Sequence, residues 1–243
     1  GPTVASLPAG FVTTGENVAG AVDLTGNSIL TNVVVVGTNV SGLNFGIEER
    51  PIAGGAISPG QSNPGGATSV AVPATAFTTG STDPDGTIAS YTITAFPTNA
   101  TSITVGATTY TAATFPAGGI VIPAAQIGTV SVDPVDGSVT VNIPFTVTDN
   151  AGIVSANTGN AQVPFTGITV SGSVFNDVNG NTESLVNGTG TDALSNTLTA
   201  YLVNTATNTI VGVSDVAANG TYVFNGVANG AYYVVLSNIA TAT

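Results

Sequence analysis

Val139-Thr140-Val141-Asn142-Ile143 opens a run of β-branched residues that extends to Val147. Its odd positions are apolar and its even positions carry Thr and Asn. Side chains alternate between the two faces of a strand, so the run reads as half-buried, with one face in a core and the other wet. The same kind of run recurs outward in both directions. Residues 33–36, 43–47, 69–72, 88–96, 103–105, 120–122 and 129–132 precede it, and 168–175, 198–203, 210–213, 222–224 and 232–236 follow, each bounded by Gly, Asn, Asp or Pro. Short strands at this spacing with turn signals between them predict an all-β chain of tandem β-sandwich modules. Val, Ile and Thr are abundant and helix formers scarce, so almost no helix is expected.

Composition removes whole classes of function. The 243 residues carry 13 acidic and 1 basic side chain, a net charge of -12, with no Cys, Met, Trp or His. Such a balance excludes a nucleic-acid backbone binder. Cys and His nucleophiles, Lys Schiff bases and His/Cys metal sites are impossible from this chain alone. The remaining donors are oxygens, which suit calcium and suit soft metals poorly. Positive mean hydropathy comes from scattered residues, and no apolar run approaches the roughly 20 residues of a membrane-spanning helix. No basic segment followed by an apolar one opens the chain, so export is expected to be directed from elsewhere. Gly1-Pro2 reads as a protease scar or as native sequence. The absence of Cys leaves the redox compartment open.

Residues 51–69, PIAGGAISPGQSNPGGATS, are rich in Gly, Pro and Ser and follow Glu48-Glu49-Arg50. They mark a domain boundary, after which Pro51 and Pro59 favour an extended edge segment. Residues 51–165 have the length of one Ig-sized sandwich of roughly 100 residues. The flanking pieces, 1–50 and 166–243, are each too short in strands to close a core alone. Glycine 230 is placed where a side chain would obstruct the turn between 222–227 and 232–234. Tyr222, Phe224, Val227, Tyr232 and Val234 are expected on one inward face of the two strands it joins.

The stretch Val170-Ser171-Gly172-Ser173-Val174-Phe175-Asn176-Asp177-Val178-Asn179-Gly180-Asn181 resembles the opening strand and calcium loop of the B-type domains of serine-aspartate repeat adhesins and related collagen-adhesin modules. Gly220-Thr221-Tyr222-Val223-Phe224 through Gly230-Ala231-Tyr232-Tyr233-Val234 is similar to their closing signature. The family's last strand, absent downstream, is matched far upstream by Val40-Ser41-Gly42-Leu43-Asn44-Phe45-Gly46-Ile47. The resemblance therefore implies one period of a tandem array: 1–50 as the C-terminal part of one B-type domain, 51–165 as an Ig-like or cadherin-like sandwich, and 166–243 as the N-terminal part of the next. The middle segment resembles bacterial Ig-like and cadherin-like repeats through Thr82-Asp83-Pro84-Asp85-Gly86-Thr87-Ile88 and Phe145-Thr146-Val147-Thr148-Asp149-Asn150-Ala151-Gly152. Such alternation is similar to giant repetitive bacterial surface adhesins, gliding-motility adhesins among them. Collagen-adhesin relatives form Lys–Asn cross-links; this chain has no Lys, so that link is excluded.

Asp177, Asn179 and Asn181 fall at positions 1, 3 and 5 of a loop with Glu183 at 7, an EF-hand-like start. Position 6 is Thr182 and position 12 is Gly188, departures that leave Asp192, or Asn187, to supply the far ligand. The competing reading is an Asx turn without metal. Asp83, Asp85 and Asp149 form a second candidate calcium set if they converge at one end of the sandwich, although Asp83-Pro84-Asp85-Gly86 is a good β-turn sequence by itself. Residues 133–137 and 149–152 read as hairpin turns. Glu48 and Glu49 point to opposite faces of a strand, which argues for a solvated junction near Arg50 and against a glycosidase pair. Asn-x-Ser/Thr at Asn39, Asn99, Asn187 and Asn219 is expected by chance in so Asn- and Thr-rich a chain.

The expectation is thus no enzyme but a structural repeat of a long extracellular stalk on a bacterial cell surface, stiffened by calcium and partnered by neighbouring repeats or identical subunits. Its neutral Asn, Ser and Thr coat tolerates contact with glycans or solid surfaces, and no nucleic-acid binding or membrane insertion is expected. Arg50 precedes Pro51, so trypsin-like proteases meet no good site. A carbohydrate- or protein-binding Ig-like module and a subunit that polymerises by strand complementation are the alternatives.

Overall fold

The computed structural model describes residues 4–18, 21–23, 26–31, 33–177, 186, 188–193 and 198–238. The chain is all-β, as its alternating runs predict, and its strands fall into three groups along the sequence.

The first group is a single antiparallel sheet of β1 (Phe11–Val18), β2 (Ala21–Asp23) and β3 (Leu43–Glu49), ordered β2-β1-β3. Leu43, Phe45 and Ile47 alternate along one face and stay 39 to 53% exposed. Among the described residues of 4–49 only Glu16 is buried. Val33, Val34, Val35 and Val36, expected as a strand, lie instead in an exposed connection outside any ladder. A β-branched run becomes a strand by pairing and packing, and neither is offered there. β1 escapes the sequence reading because Gly15 and Glu16 interrupt its alternation, and a bulge between Thr13 and Gly15 absorbs the break.

The central group is a two-sheet sandwich. Its elements are β4 (Gln61–Ser62), β5 (Val70–Ala71), a one-turn helix α1 (Thr75–Thr78), β6 (Ile88–Ile93), β7 (Ala100–Val105), β8 (Thr108–Tyr110), β9 (Ile120–Pro123), β10 (Val130–Pro134), β11 (Val139–Asp149) and β12 (Gly159–Thr166). One sheet is ordered β5-β10-β7-β8 and the other β4-β12-β11-β6-β9. β11 is buried at Val141, Ile143, Phe145 and Val147, with Thr140, Asn142, Pro144 and Thr146 half-buried between them. The core continues through Ile93, Ile103, Ile122, Val130, Val132, Ala161 and Val163. Phe145 meets Phe77 of α1 edge-on at 5.3 Å and Tyr91 at 5.8 Å. β12 carries Asn160, Gln162 and Pro164 on its outward face, which hides from the sequence the buried row Ala161, Val163 and Phe165.

The extended segment after Pro51 runs beside β12 in parallel. Ile57 bridges Gln162, and Gln61 and Ser62 pair with Phe165 and Thr166. Residues 133–137, expected as a hairpin turn, cross between the two sheets, because β10 pairs with β7 while β11 pairs with β12 and β6. Asp133 accordingly sits buried within β10. Residues 149–152 do reverse the chain, and Thr148 bridges Val154.

The third group comprises β13 (Ile168–Ser173), β14 (Phe175–Asn176), β15 (Thr189–Gly190), β16 (Thr199–Asn204), β17 (Thr209–Asp215), β18 (Thr221–Val227) and β19 (Tyr232–Ser237). β13 pairs with β18, β14 with β15, and β17-β16-β19 form a sheet. Ala200, Leu202, Val216, Phe224 and Val227 make a small core, flanked by Tyr222 and Tyr232. The expected common face of β18 and β19 is corrected here. The two strands are not paired with each other, and Val234 is 40% exposed. Their connection passes from one sheet to the other, so Tyr222 and Tyr232 approach the core from opposite layers. Gly230 does lie against the Tyr232 ring, where a Cβ would come within 3.1 Å.

The central and third groups meet backbone to backbone. A Cβ on Gly226 would stand 2.9 Å from Gly137 Cα, one on Gly167 would collide with Gly226, and one on Gly65 would collide with Ala228. The Asn229 amide donates to the Pro64 carbonyl at 3.1 Å. Behind this contact Asn63, 1% exposed, donates to the Val135 and Gly137 carbonyls at 2.8 and 2.7 Å and accepts the Gly65 amide at 2.9 Å. β11 begins beside this joint and ends, 11 residues later, beside the first sheet. At about 3.3 Å per residue it spans about 33 Å.

Phe145→Ala empties the centre of the largest core, and a loss of about 3 to 5 kcal/mol is expected in equilibrium urea unfolding.

Candidate functional site

The far end of β11 carries a concentration of oxygen chemistry. Ile88 of β6 pairs with Asp149, and the loops beyond them are tied together. The Thr87 amide donates to Asn150 Oδ1 at 2.6 Å, and the Asn150 amide donates back to the Thr87 carbonyl at 2.9 Å. The reciprocal pair holds the Asp83-Pro84-Asp85-Gly86 bend against the turn that follows Asp149. Ile52 and Thr82 exchange backbone hydrogen bonds at 2.8 and 3.0 Å, which fixes the chain just before Asp83. The three aspartates expected to converge therefore do come to one end of the sandwich.

The preceding sheet reaches into the same place. The Glu49 amide donates to Asp85 Oδ2 at 2.9 Å, and Arg50 donates through Nη1 to the Val154 carbonyl at 2.7 Å. Partial desolvation and then the charges of Asp85, Asp149 and Asp83 raise the pKa of the Glu48 carboxyl. Asp83 is likewise raised, by desolvation first and then by Asp149 and Asp85; the nearby Asp85 amide offsets only part of this. Glu48, read from sequence as part of a solvated junction, stays open to solvent but feels the charges of the cluster, and Asn150, read as a turn residue, ties its two loops together. The signal available in the sequence was the adjacency of Glu48 to the boundary at Pro51, which places the end of β3 against the first turn of the sandwich.

The other candidate set is divided by what the structure describes. β14 and β15 pair, and Asp177, directly after β14, is half-buried with Oδ1 lacking a hydrogen-bond partner. Asp192 is half-buried beyond the other arm. Asn179, Asn181 and Glu183 lie outside the described residues, as does Asn187. One further buried carboxylate went unread: Glu16, 3% exposed, whose Oε1 accepts the Thr13 hydroxyl at 2.8 Å and the Ser28 amide. Among the described residues no three acidic side chains are set around one point as a finished metal site, and no helix is long and apolar enough to cross a membrane.

No protein-family model and no curated protein matches the chain. Among solved structures it is similar to the crystal structure of BcpA, the major pilin subunit of Bacillus cereus, at 8% identity with a TM-score of 0.29, and to a variant of that pilin at 8% identity and 0.27. Each match covers 60% of this chain and 47% of the pilin, so the chain spans about half the pilin's length. A likeness this remote carries no inference about role.

Asp83 and Glu48 bind a proton more readily folded than unfolded. Their contribution to stability therefore grows as pH falls through the window just above ordinary carboxylate values, and is lost as pH rises through it. In chelator, thermal unfolding should show a midpoint that rises on mild acidification from neutrality, and Asp83→Asn should flatten that rise.

Proposed function

We propose that this chain is a non-catalytic structural segment of a long stalk or filament on a bacterial cell surface, working by reach and stiffness. The observation that carries the reading is the placement of two joints at opposite ends of one 11-residue strand. The Gly137, Gly167 and Gly226 contact lies at the start of β11 and the Asp149 cluster at its end, with neighbouring β-structure seated on each. A sandwich gripped at both poles transmits length along its strands. The composition agrees with this, since acyl-transfer and metal hydrolase chemistry have no His, Cys or Lys to draw on. Calcium bound at Asp177, Asn179, Asn181, Glu183 and Asp192 belongs to the same proposal as a local stiffener, because metal that binds only the folded loop stabilises it. Adhesion and gliding motility are the settings the family resemblance suggests, and neighbouring repeats are the immediate partners.

A second reading has its own support. β19 is the edge of its sheet, and Tyr233, Val234, Val235 and Leu236 are each 40 to 44% exposed although consecutive residues face opposite sides. An apolar edge strand exposed on both faces invites an added strand or layer. Assembly of identical subunits through this edge is the polymerising form of the filament. A glycan- or protein-binding module has no comparable observation in its favour.

Small-angle scattering in calcium tests the stalk. A compact globule of this length has a radius of gyration of about 18 Å, and the expected value for the isolated chain lies well above it. Gly167→Val should loosen the joint and broaden the distribution of dimensions without lowering the melting point of the central sandwich. A radius near the globular value sinks the stalk reading, whereas growth of the particle with concentration favours the polymerising form.

A further inference from the structure

Among the described residues, the outer edge of β19 breaks a rule that every other long edge obeys. An edge strand offers unpaired amides and carbonyls to any passing chain, and folds blunt that offer with charge, proline, bulges or shortness. β3 ends in Glu48-Glu49. β17 is bulged against β16 and ends in Asp215. β13 is bulged against β18 and polar from Ser171 onward, β18 gives its Val223 amide to Ser214 Oγ at 3.1 Å, and β9 ends in Pro123. The remaining edges are two or three residues long. β19 has none of these devices. Tyr232–Ser237 reads Tyr-Tyr-Val-Val-Leu-Ser, without a charge, a proline or a glycine, and pairs with β16 one for one along its whole length. Cover also stops at this strand. Residues 200–203 of β16 are buried on both faces, whereas their partners 233–236 of β19 are 40 to 44% exposed.

We infer that β19 pairs antiparallel with β19 of a second copy of this chain, about a two-fold axis at Val234. Charge and edge together select this occupant. A chain of net charge -12, whose sole cation Arg50 is turned to the Val154 carbonyl, meets its own copy at least cost through an uncharged strand. Any other long edge would bring an acidic end, a bulge or a proline to the contact, so the edge best matched to β19 is another β19. Centred on Val234, the register sets Tyr233 opposite Val235 and Tyr232 opposite Leu236, and all five apolar residues find an apolar partner. Aromatic and β-branched residues facing each other across strands stabilise such a pair. The product is one continuous antiparallel sheet, β17-β16-β19 joined to its two-fold mate. It rests on the second reading above, that this edge meets identical subunits, and gives that meeting a different outcome. An isologous contact closes at two copies, so it joins two chains side by side, and lengthening requires another contact. Four half-covered side chains and one strand edge fall short of the roughly 800 Å² per partner of a standard interface. The pairing is therefore weak between free chains and strengthens where many copies are held together.

The test is sedimentation equilibrium of the whole chain over a concentration series reaching about 1 mM, with Val235→Glu, Val234→Cys and Phe45→Cys alongside. Val235 lies on the face away from Ala200 and Leu202 and is 40% exposed, so Val235→Glu should fold, which its melting curve checks. Expected is a monomer–dimer equilibrium that stops at two copies and is weakened about tenfold or more by Val235→Glu, which places two carboxylates in the contact. The chain has no cysteine, so a single introduced thiol reports on its own copy. Directly opposed residues hold their Cβ atoms about 4.5 to 5.5 Å apart, and Val234→Cys should oxidise to a linked dimer several-fold faster than Phe45→Cys. A dimer untouched by Val235→Glu overturns the pairing, and Val234→Cys oxidising no faster than Phe45→Cys overturns the axis. Cross-linking between Val234→Cys and Phe45→Cys in a mixture makes β3 the partner instead. A monomer throughout removes the polymerising form as well, whereas growth past two copies that Val235→Glu abolishes leaves that form standing and removes only the two-fold pairing.

Discussion

The central sandwich, on which both neighbouring groups are seated, depends on the burial of one side of β11 against the facing sheet. Val141, Ile143, Phe145 and Val147 lose essentially all their exposure, and each fully buried aliphatic or aromatic side chain contributes about 1.5 to 3 kcal/mol from removal of apolar surface. Because side chains alternate, the inward set fixes the outward set, and the outward set fixes which neighbours pair. Asn142 faces away from the core, where its Oδ1 accepts Gln162 Nε2 at 2.8 Å. A slip of one residue would exchange the two faces and put Asn142 and Thr146 in the interior. The strand is thereby held in register along its whole length, and its two ends are fixed points from which the joints project.

The joints solve the same problem by different physics. At Gly137, Gly167 and Gly226 the sequence removes side chains so that carbonyls and amides of two modules meet directly. Asn63 supports this from below by donating to the Val135 and Gly137 carbonyls, which would otherwise lack that donor. At Asp83, Asp149 and Glu48 the sequence instead brings like charges close together around one buried carboxylate, Asp149. The first arrangement rests on close backbone approach. The second responds to protonation, because crowding of like charge raises the pKa values of Asp83 and Glu48.

Reading the sequence recovered the all-β character and most of the central strands, because alternation in runs such as Val139 to Val147 reports burial directly. It missed β12, whose polar outward residues match a loop in composition, and β1, whose bulge breaks the period. It over-read Val33 to Val36, four apolar residues with nothing to pair with. Pairing is a long-range property, and a local pattern cannot supply the missing strand. The acidic site was legible as a set of aspartates at turns, since the resemblance to Ig-like repeats pointed to both Asp83 and Asp149. Glu48 and Asn150 were hidden, because their roles depend on where the preceding sheet comes to rest. Asn63 sat inside a stretch whose composition spoke only of a linker, yet it is 1% exposed and its side chain makes three hydrogen bonds at the joint.

The parallel pairing of the segment after Pro51 with β12 has a mechanical meaning. The chain enters the sandwich at Pro51 and leaves it after Thr166, and these two terminal segments lie side by side running the same way. Tension applied through the neighbours pulls one upward and the other downward, along the strands and across the hydrogen bonds between them. Ser58 N to Gln162 O, Gln162 N to Ala56 O and Asn63 N to Thr166 O, at 2.8, 3.0 and 2.8 Å, are then loaded together instead of one after another. A sheet opened bond by bond yields like a zipper, whereas one loaded in shear resists until the whole patch fails. Resistance to being pulled apart is a property of the unfolding barrier and not of equilibrium stability, so a module of ordinary thermal stability built this way holds under loads that would unravel a differently threaded sandwich.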